Sequence, residues 1–457
     1  MSRTLQVAVV GHTNTGKTSL LRTLMRDTGF GEVSDAPATT RGVEGAGLLA
    51  DGEEVMALYD TPGLEDAAAV REWLEAHGYG PSDEAEGMRQ FLESAEAGAA
   101  LEQEAKVFRQ LLASDVGLYV IDAREPVLGK YRDELAALRA CAKPLIPVLN
   151  FVASADARDR EWRDALAELS LHAVIAFDTV VYDADSEQRL FEKLLGMLDA
   201  YRAPLSRLMV ARREEAARLH AAALRRIAEL AIDVAACVQL VPGDRTDAAR
   251  EMSALRDAVR AHEQQCVDDL LTLHGFAGAE HVPESLPMTD GQWDADLFTP
   301  EALREFGISA GRAGAVGAAA GFMIDVATVG LTLGAGTAGG AAAGALWGSR
   351  RGLGRRVWRR LQGRHELRVA EPTLQLLVVR QLSLVAALRR RGHGATDAIR
   401  GGPAASAPWR DGRGPSVLHR AQAHPEWSRL NPASGDPRSS SRDAAIGELA
   451  RWLEQLA

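Results

Sequence analysis

Apolar residues in the first 200 positions fall in short runs, at 4–10, 43–50, 54–59, 115–122, 144–150 and 172–177. Runs of this length read as buried strands. Helical stretches lie among them near 16–27, 128–141, 158–169 and 185–201. This alternation predicts an α/β fold, a parallel sheet with flanking helices, over residues 1–201. Between Gly63 and Ser114 the strands are interrupted by an acidic helical insertion at about 64–113, with Glu93-Ser94-Ala95-Glu96-Ala97 and Leu101-Glu102-Gln103-Glu104-Ala105-Lys106.

Residues 202–392 change character and predict an α-helical C-terminal domain. In 203–275, Leu205, Leu208, Ala216, Leu219, Ala223, Ile227, Leu230 and Val234 keep a three/four spacing. Such a stripe is either core packing or a homodimer interface. Residues 313–348 are almost all Gly, Ala and other apolar residues, with Asp325 the only ionisable side chain. Glycines recur every four positions, as at Gly317/Gly321 and Gly336/Gly340/Gly344/Gly348, which predicts a tightly packed helical hairpin. Arg350, Arg351, Arg355, Arg356, Arg359, Arg360 and Arg364 follow without an acid among them. An apolar hairpin beside arginines suits a membrane surface contact through 313–364. Against this, the arms are short for a span and Asp325 is costly in lipid, so a buried hairpin in a soluble domain stays open. Residues 365–391 predict an amphipathic helix. Residues 393–457 predict a flexible Pro/Gly-rich tail ending in a short helix near 443–456.

Composition narrows the setting. A chain of 457 residues has room for two or three domains. Its net charge of -11 argues against a basic coat for nucleic acid. Cys141, Cys237 and Cys266 are widely spaced and odd in number, which predicts a reducing, cytoplasmic compartment and no cysteine metal site. The N-terminus runs straight into a strand, so no signal peptide is expected.

The chemistry is concentrated in Gly11-His12-Thr13-Asn14-Thr15-Gly16-Lys17-Thr18, a complete G-x-x-x-x-G-K-[ST] loop between a strand and a helix. Backbone N–H groups of such a loop point at the α- and β-phosphates, and the helix N-terminus adds its positive end. Lys17 would reach the β/γ-phosphates and Thr18 would hold Mg²⁺. Downstream, Asp60-Thr61-Pro62-Gly63 follows an apolar strand, placing a carboxylate for Mg²⁺ and the Gly63 N–H for the γ-phosphate. Thr39 and Thr40 lie between the two motifs, where a threonine can close over the γ-phosphate and complete the metal shell.

With Gly11 to Ser19, Thr39-Thr40-Arg41 and Asp60 to Gly63 in this order, the chain resembles the Era/TrmE-like P-loop GTPases. More closely, it resembles the bacterial GTPases that carry a C-terminal domain of unknown function. That likeness extends through Leu118 to Pro126, Val148 to Val152, Glu305 to Ser309 and His424 to Ser428. The resemblance implies a P-loop NTPase G domain, GTP and GDP as ligands, Mg²⁺, and a slow switch acting on an unidentified effector. In such GTPases the insertion at about 64–113 would follow the segment that moves on hydrolysis, where it could report the nucleotide state or simply decorate the surface. Its expected site comprises Gly11, Asn14, Thr15, Gly16, Lys17, Thr18, Ser19, Thr39, Thr40, Asp60, Gly63 and Asn150. Rival settings are a membrane-inserting or remodelling protein and a ribosome-associated assembly GTPase.

Two positions depart from the family pattern. The guanine-reading Asn-Lys-x-Asp motif stands here as Asn150-Phe151-Val152-Ala153, without the lysine or the aspartate. Asp178 could substitute from the next loop. Leu64 takes the place of a water-orienting glutamine, which predicts slow intrinsic hydrolysis. Asn14 matches an asparagine that binds K⁺ in the TrmE-like branch, and it equally suits a turn.

Overall fold

The structure, a computed structural model, describes residues 3–26, 43–80, 82–181, 184–242, 245–276, 286–289, 291–308, 324–326, 364–390, 414–431 and 439–456. It divides into two compact units, residues 1–217 with 389–399, and residues 218–388 with 400–457.

The first unit is built on β1 (Leu5–Val10), β2 (Glu44–Ala50), β3 (Glu53–Asp60), β4 (Val116–Asp122), β5 (Leu145–Asn150) and β6 (Ile175–Ala176). Their order in the sheet is β2-β3-β1-β4-β5-β6. All neighbours are parallel except the β2–β3 hairpin. The helices are α1 (Lys17–Met25), α2 (Ala67–Ala76), α3 (Glu84–Glu93), α4 (Glu102–Ala113), α5 (Gly129–Ala140), α6 (Asp159–Glu168) and α7 (Ala184–Met197). This is the α/β architecture the strand and helix alternation predicts.

The two-residue period of the strands sorts their side chains between two cores. Ala8, Val10, Tyr119 and Ile121 face one layer with Leu74, Phe91, Phe108, Leu138 and Trp162. Val7, Val9, Leu118 and Val120 face the other with Leu20, Leu24, Phe191 and Leu194. Being apolar on both faces, the strands show the unbroken runs seen in the sequence. The stretch expected as an insertion at 64–113 forms α2, α3 and α4, whose Val70, Phe91, Phe108 and Leu111 are buried in the first of these cores. Parallel strands need a crossover, and this stretch supplies the one from β3 to β4.

The long helix α8 (Arg202–Ala236) begins in the first unit, where Leu205 and Leu208 enter the sheet core. The division between units therefore falls within α8 and not before it at 201. Ala223, Ile227, Leu230 and Val234, from the same stripe, are buried in the second core.

The second unit adds β7 (Gln239–Pro242), α9 (Arg245–Leu273), the small hairpin β8 (Met288–Thr289) and β9 (Gln292–Trp293), and α10 (Pro300–Glu305). After these come β10 (Ile324–Val326), β11 (Arg364–Val369), α11 (Glu371–Arg389), α12 (Ser416–Gln422) and α13 (Ser440–Glu454). Its sheet is antiparallel in the order β10-β11-β7. The sequence mislocates three parts of this unit. The amphipathic helix expected over 365–391 is a strand followed by a helix buried around its circumference, including Thr373, Gln375, Arg380, Gln381 and Ser383. Within the expected helical hairpin 313–348, residues 324–326 form a strand paired to β11, and the rest lies outside the described residues. Of the following arginines, 350–360 also lie outside them. No helix among the described residues is long and apolar enough to cross a membrane.

The third correction concerns the tail. Residues 414–431 and 439–456 are core elements, with Val417, Leu418, Trp427, Ile446, Leu449 and Leu453 buried. A buried charge network explains why. Asp233 of α8 is fully buried and accepts from Arg442 Nη2 at 2.8 Å and from the Arg429 N–H at 3.2 Å. His262 Nε2 stands 3.0 Å from its other oxygen, and Ser428 Oγ donates to the Asp233 carbonyl at 2.7 Å. Burial raises the Asp233 pKa, but the His262 and Arg442 contacts outweigh it and hold the carboxyl below its usual range.

Arg442→Ala leaves that carboxylate buried without its cation, so the second unit should lose about 3–5 kcal/mol in urea unfolding. The stability supplied by Asp233 is present above the ordinary carboxylate pKa and is lost as pH falls through the lowered value. The deficit of the variant should therefore shrink in strong acid.

Candidate functional site

The loop between β1 and α1 turns through Asn14 at φ 63° and Gly16 at φ 89°. A Cβ at Gly16 would lie 2.3 Å from Asn150 Nδ2, so both backbone and space require glycine. Lys17 folds back across the loop and donates to the carbonyls of Gly11 at 3.2 Å and His12 at 2.7 Å. Burial lowers its pKa to about 8, against the opposing charges of Asp60, Glu134 and Glu65. The ammonium is thus tethered where arriving phosphate oxygens can replace its carbonyl partners. Thr15 and Ser19 are buried beneath the loop, while Asn14 is exposed.

Thr18 Oγ1 donates to Asp60 Oδ2 at 2.5 Å. Asp60 Oδ1 is buried with no hydrogen-bond partner among the described residues. Burial raises the Asp60 pKa, and the Thr18 hydrogen bond and the Lys17 charge work against it. Two oxygen donors side by side, one of them orphaned, fit a small hard cation that completes its shell with phosphate and water. Thr18 and Asp60 would hold Mg²⁺ there. Thr39, Thr40 and Arg41 lie outside the described residues.

Beyond Asp60, Thr61 Oγ1 donates to the Val9 carbonyl at 2.7 Å and pins the segment to the sheet. Gly63 then passes so close to the loop that a Cβ would meet Thr13 Oγ1 at 2.3 Å and Thr13 N at 2.8 Å. Leu64 is fully buried, and its N–H bonds the Gly11 carbonyl at 3.1 Å. Glu104 of α4, itself buried, accepts from the N–H groups of Glu65 at 3.4 Å and Asp66 at 3.1 Å.

On the other flank, His12 Nδ1 lies 2.6 Å from Glu134 Oε1 and its Nε2 lies 2.9 Å from Lys130 Nζ. A lysine ammonium only donates, so Nε2 accepts and the ring proton sits on Nδ1 facing Glu134. Tyr119 OH donates to the second Glu134 oxygen at 2.8 Å. Sequence reasoning missed Glu104 and Glu134. The available signal was helical spacing: Glu104 shares a face with Leu101, Ala105 and Phe108, and Glu134 with Tyr131, Leu135 and Leu138.

The base end of the cleft departs from the expectation for Asp178. Its carboxylate accepts from the N–H groups of Ala153, Val180 and Val181, each at 2.9 Å. It stands next to the position of the absent aspartate, yet three of roughly four acceptor positions are taken by its own loops. Asn150 is a clamp: Nδ2 donates to the Thr15 carbonyl at 3.0 Å, and Oδ1 accepts from Thr179 N at 2.9 Å and Thr179 Oγ1 at 3.1 Å. Phe151, at φ 57°, presents its ring to the Arg124 guanidinium 3.9 Å away, and Arg124 is itself held bidentately by Asp122. This stacked pair went unnoticed in the sequence because it joins two separate strand ends.

A phosphate loop closed on one side by a Thr–Asp pair and on the other by a glycine-tight turn defines a P-loop GTPase domain. Residues 6–151 accordingly match the 50S ribosome-binding GTPase family, MMR_HSR1. Residues 163–451 match the domain of unknown function DUF3482, and the chain belongs to that family. Among solved structures, the chain is similar to Aquifex aeolicus Era bound to GDP and AlF4⁻, with 21% identity and a TM-score of 0.27 over 38% of this chain and 50% of that one. Era in complex with MgGDPNP and a segment of 16S ribosomal RNA gives 20% identity and a TM-score of 0.28 over 39% and 52%. The bacterial selenocysteine-specific elongation factor EF-Sec gives 12% identity and a TM-score of 0.25 over 44% and 28%. The chain thus spans about half the length of the two Era chains. No curated protein matches it.

Lys17 sets a pH dependence. Phosphates favour its charged form, so binding raises its pKa and the complex holds the proton. Affinity for a nucleoside triphosphate should be full below about 8 and fall up to about tenfold per pH unit above it. Calorimetry at pH 8.5 in buffers of different ionisation enthalpy should register proton uptake, absent in Lys17→Met.

Proposed function

We propose that the chain binds Mg²⁺·GTP and hydrolyses it slowly to GDP and phosphate as a molecular switch. The observation that carries this reading is the Thr18–Asp60 pair with its orphaned Asp60 oxygen, set beside the buried Lys17. Lys17 and the loop N–H groups bind and orient the phosphates. Thr18 and Asp60 hold the metal, which screens charge on the β- and γ-phosphates when bound. The Gly63 N–H would bond the γ-phosphate, and Thr40, ahead of Thr39, is the switch threonine of this reading. K⁺ at Asn14 is a second source of positive charge in this reading. Leu64, buried and tied through its N–H, orients no water, which supports slow turnover. The base stacks at the Phe151–Arg124 end, where Asn150 fixes the loops and Asp178 retains one acceptor position.

A titration of fluorescent GDP, GTP and ATP with Mg²⁺ tests the reading. Guanine nucleotides should bind with micromolar or better affinity, and Lys17→Ala should weaken GTP by at least about 100-fold, or ~2.7 kcal/mol. Equal or tighter ATP binding would discard the guanine assignment. Steady-state hydrolysis in KCl against NaCl reads the Asn14 role directly: equal rates would remove K⁺ from the mechanism.

A further inference from the structure

Hydrolysis needs an acceptor to orient the attacking water, and Leu64 cannot serve. Among the described residues, the carboxylates near the phosphate loop include Asp60, Glu134, Glu104 and Glu65. Asp60 is bound to Thr18, Glu134 is buried under His12 and Tyr119, and Glu104 is occupied by two backbone N–H groups. The fourth is Glu65, which is exposed and accepts from Thr13 Oγ1 at 3.1 Å. Thr13 is the loop residue against which Gly63 packs, so this carboxylate sits on the γ-phosphate side of the loop. It is also near enough to Lys17 to oppose the effect of burial on it. Its backbone is held in place by the Glu104 carboxylate from α4.

We infer that Glu65 is the catalytic residue that orients the attacking water in place of the missing glutamine, and that Glu104 is its positioning residue. This assignment rests on the GTPase reading above. Thr13 holds the Glu65 carboxylate beside the γ-phosphate, and its free oxygen accepts a hydrogen bond from the water. The water oxygen forms the new bond to phosphorus. The bond from phosphorus to the β–γ bridging oxygen breaks, and its electron pair stays on GDP. The water proton passes to Glu65 and from there to the released phosphate.

Single-turnover hydrolysis of GTP by the full chain tests this, with fluorescent GDP and a non-hydrolysable GTP analogue read in parallel. Glu65→Ala and Glu65→Gln should slow hydrolysis by roughly 100-fold, the usual scale for losing a general base. Both affinities should stay within about threefold of the wild type, and Glu65→Asp should recover part of the rate. Glu104→Gln should lower kcat several-fold at constant KM, and it should have no further effect in the Glu65→Ala background, since the two act through one contact. A rate within about threefold of wild type in Glu65→Ala, or a parallel loss of rate and nucleotide affinity, overturns the assignment. A wild-type protein without Lys17-dependent hydrolysis overturns the GTPase reading and this assignment with it. Hydrolysis that depends on Lys17 and survives Glu65→Ala overturns this assignment alone.

Discussion

The site depends on one buried side-chain amide. Asn150, fully buried at the end of β5, donates to the Thr15 carbonyl in the phosphate loop and accepts from Thr179 after β6 and from the Phe151 N–H. One planar group thereby fixes three loops whose strands are parallel and whose ends point the same way. Without a partner, each of these buried polar groups would carry a desolvation cost of roughly 1–3 kcal/mol. The close approach of Gly16 to the amide follows directly, since any Cβ there would displace it. Asn150 therefore has a structural task even with Phe151 and Ala153 in place of the lysine and aspartate of a guanine-reading motif. Its work is internal to the protein, and it does not require a lysine or an aspartate beside it.

The acids around the loop follow from the same geometry. A cleft that receives a triphosphate is lined with N–H groups and a lysine, and these must be held apart while no phosphate is present. Lys17 is held by two loop carbonyls, and Asp60, Glu65, Glu104 and Glu134 meet the groups around it: the Thr18 hydroxyl, the Thr13 hydroxyl, the N–H groups of Glu65 and Asp66, and the His12 ring with the Tyr119 phenol. Burial makes the pairing compulsory for three of them, because an unpaired buried carboxylate is costly. Glu65, the exposed one, is free to exchange its partner for water.

Local pattern made the first unit legible. The runs at 4–10, 115–122 and 144–150 lie within a residue of β1, β4 and β5, because strands buried on both faces carry an unbroken apolar signal. The phosphate loop and the Asp60–Gly63 turn were legible because their chemistry is contiguous in sequence. What escaped notice is set by pairing across distance. Residues 393–457 read as a flexible tail ending in a short helix near 443–456; the helix is present as α13, yet Arg442 and Asp233, 209 positions apart, form a buried ion pair that composition does not show. Residues 365–369 read as the start of a helix, yet pairing with β7 and β10 makes them part of a strand. Asp178 reads as a spare carboxylate, yet three backbone N–H groups nearby already use it.

The second unit shows what such long-range polar pairs do for a domain with little sheet. Helix α9 carries His262 and Glu263 side by side, and the two point to different neighbours. His262 meets Asp233 of α8, while Glu263 meets Arg380 of α11 at 3.6 Å. Burial pushes Glu263 up to about 7 against the pull of Arg380, so the pair is close to the limit at which its charge is sustained. Arg380 also donates to the Ala295 carbonyl at 2.6 Å and lies over the Trp293 ring at 5.1 Å. Two charged contacts pointing different ways from one helix leave a single rotation of α9 that satisfies both. Buried ion pairs contribute little net stability, and their better-attested role is to select one packing among many. In this unit the hydrophobic surface supplies the driving force for folding, and the contacts of Asp233, Glu263, Arg380 and Arg442 restrict which packings of that surface leave no buried charge unpaired.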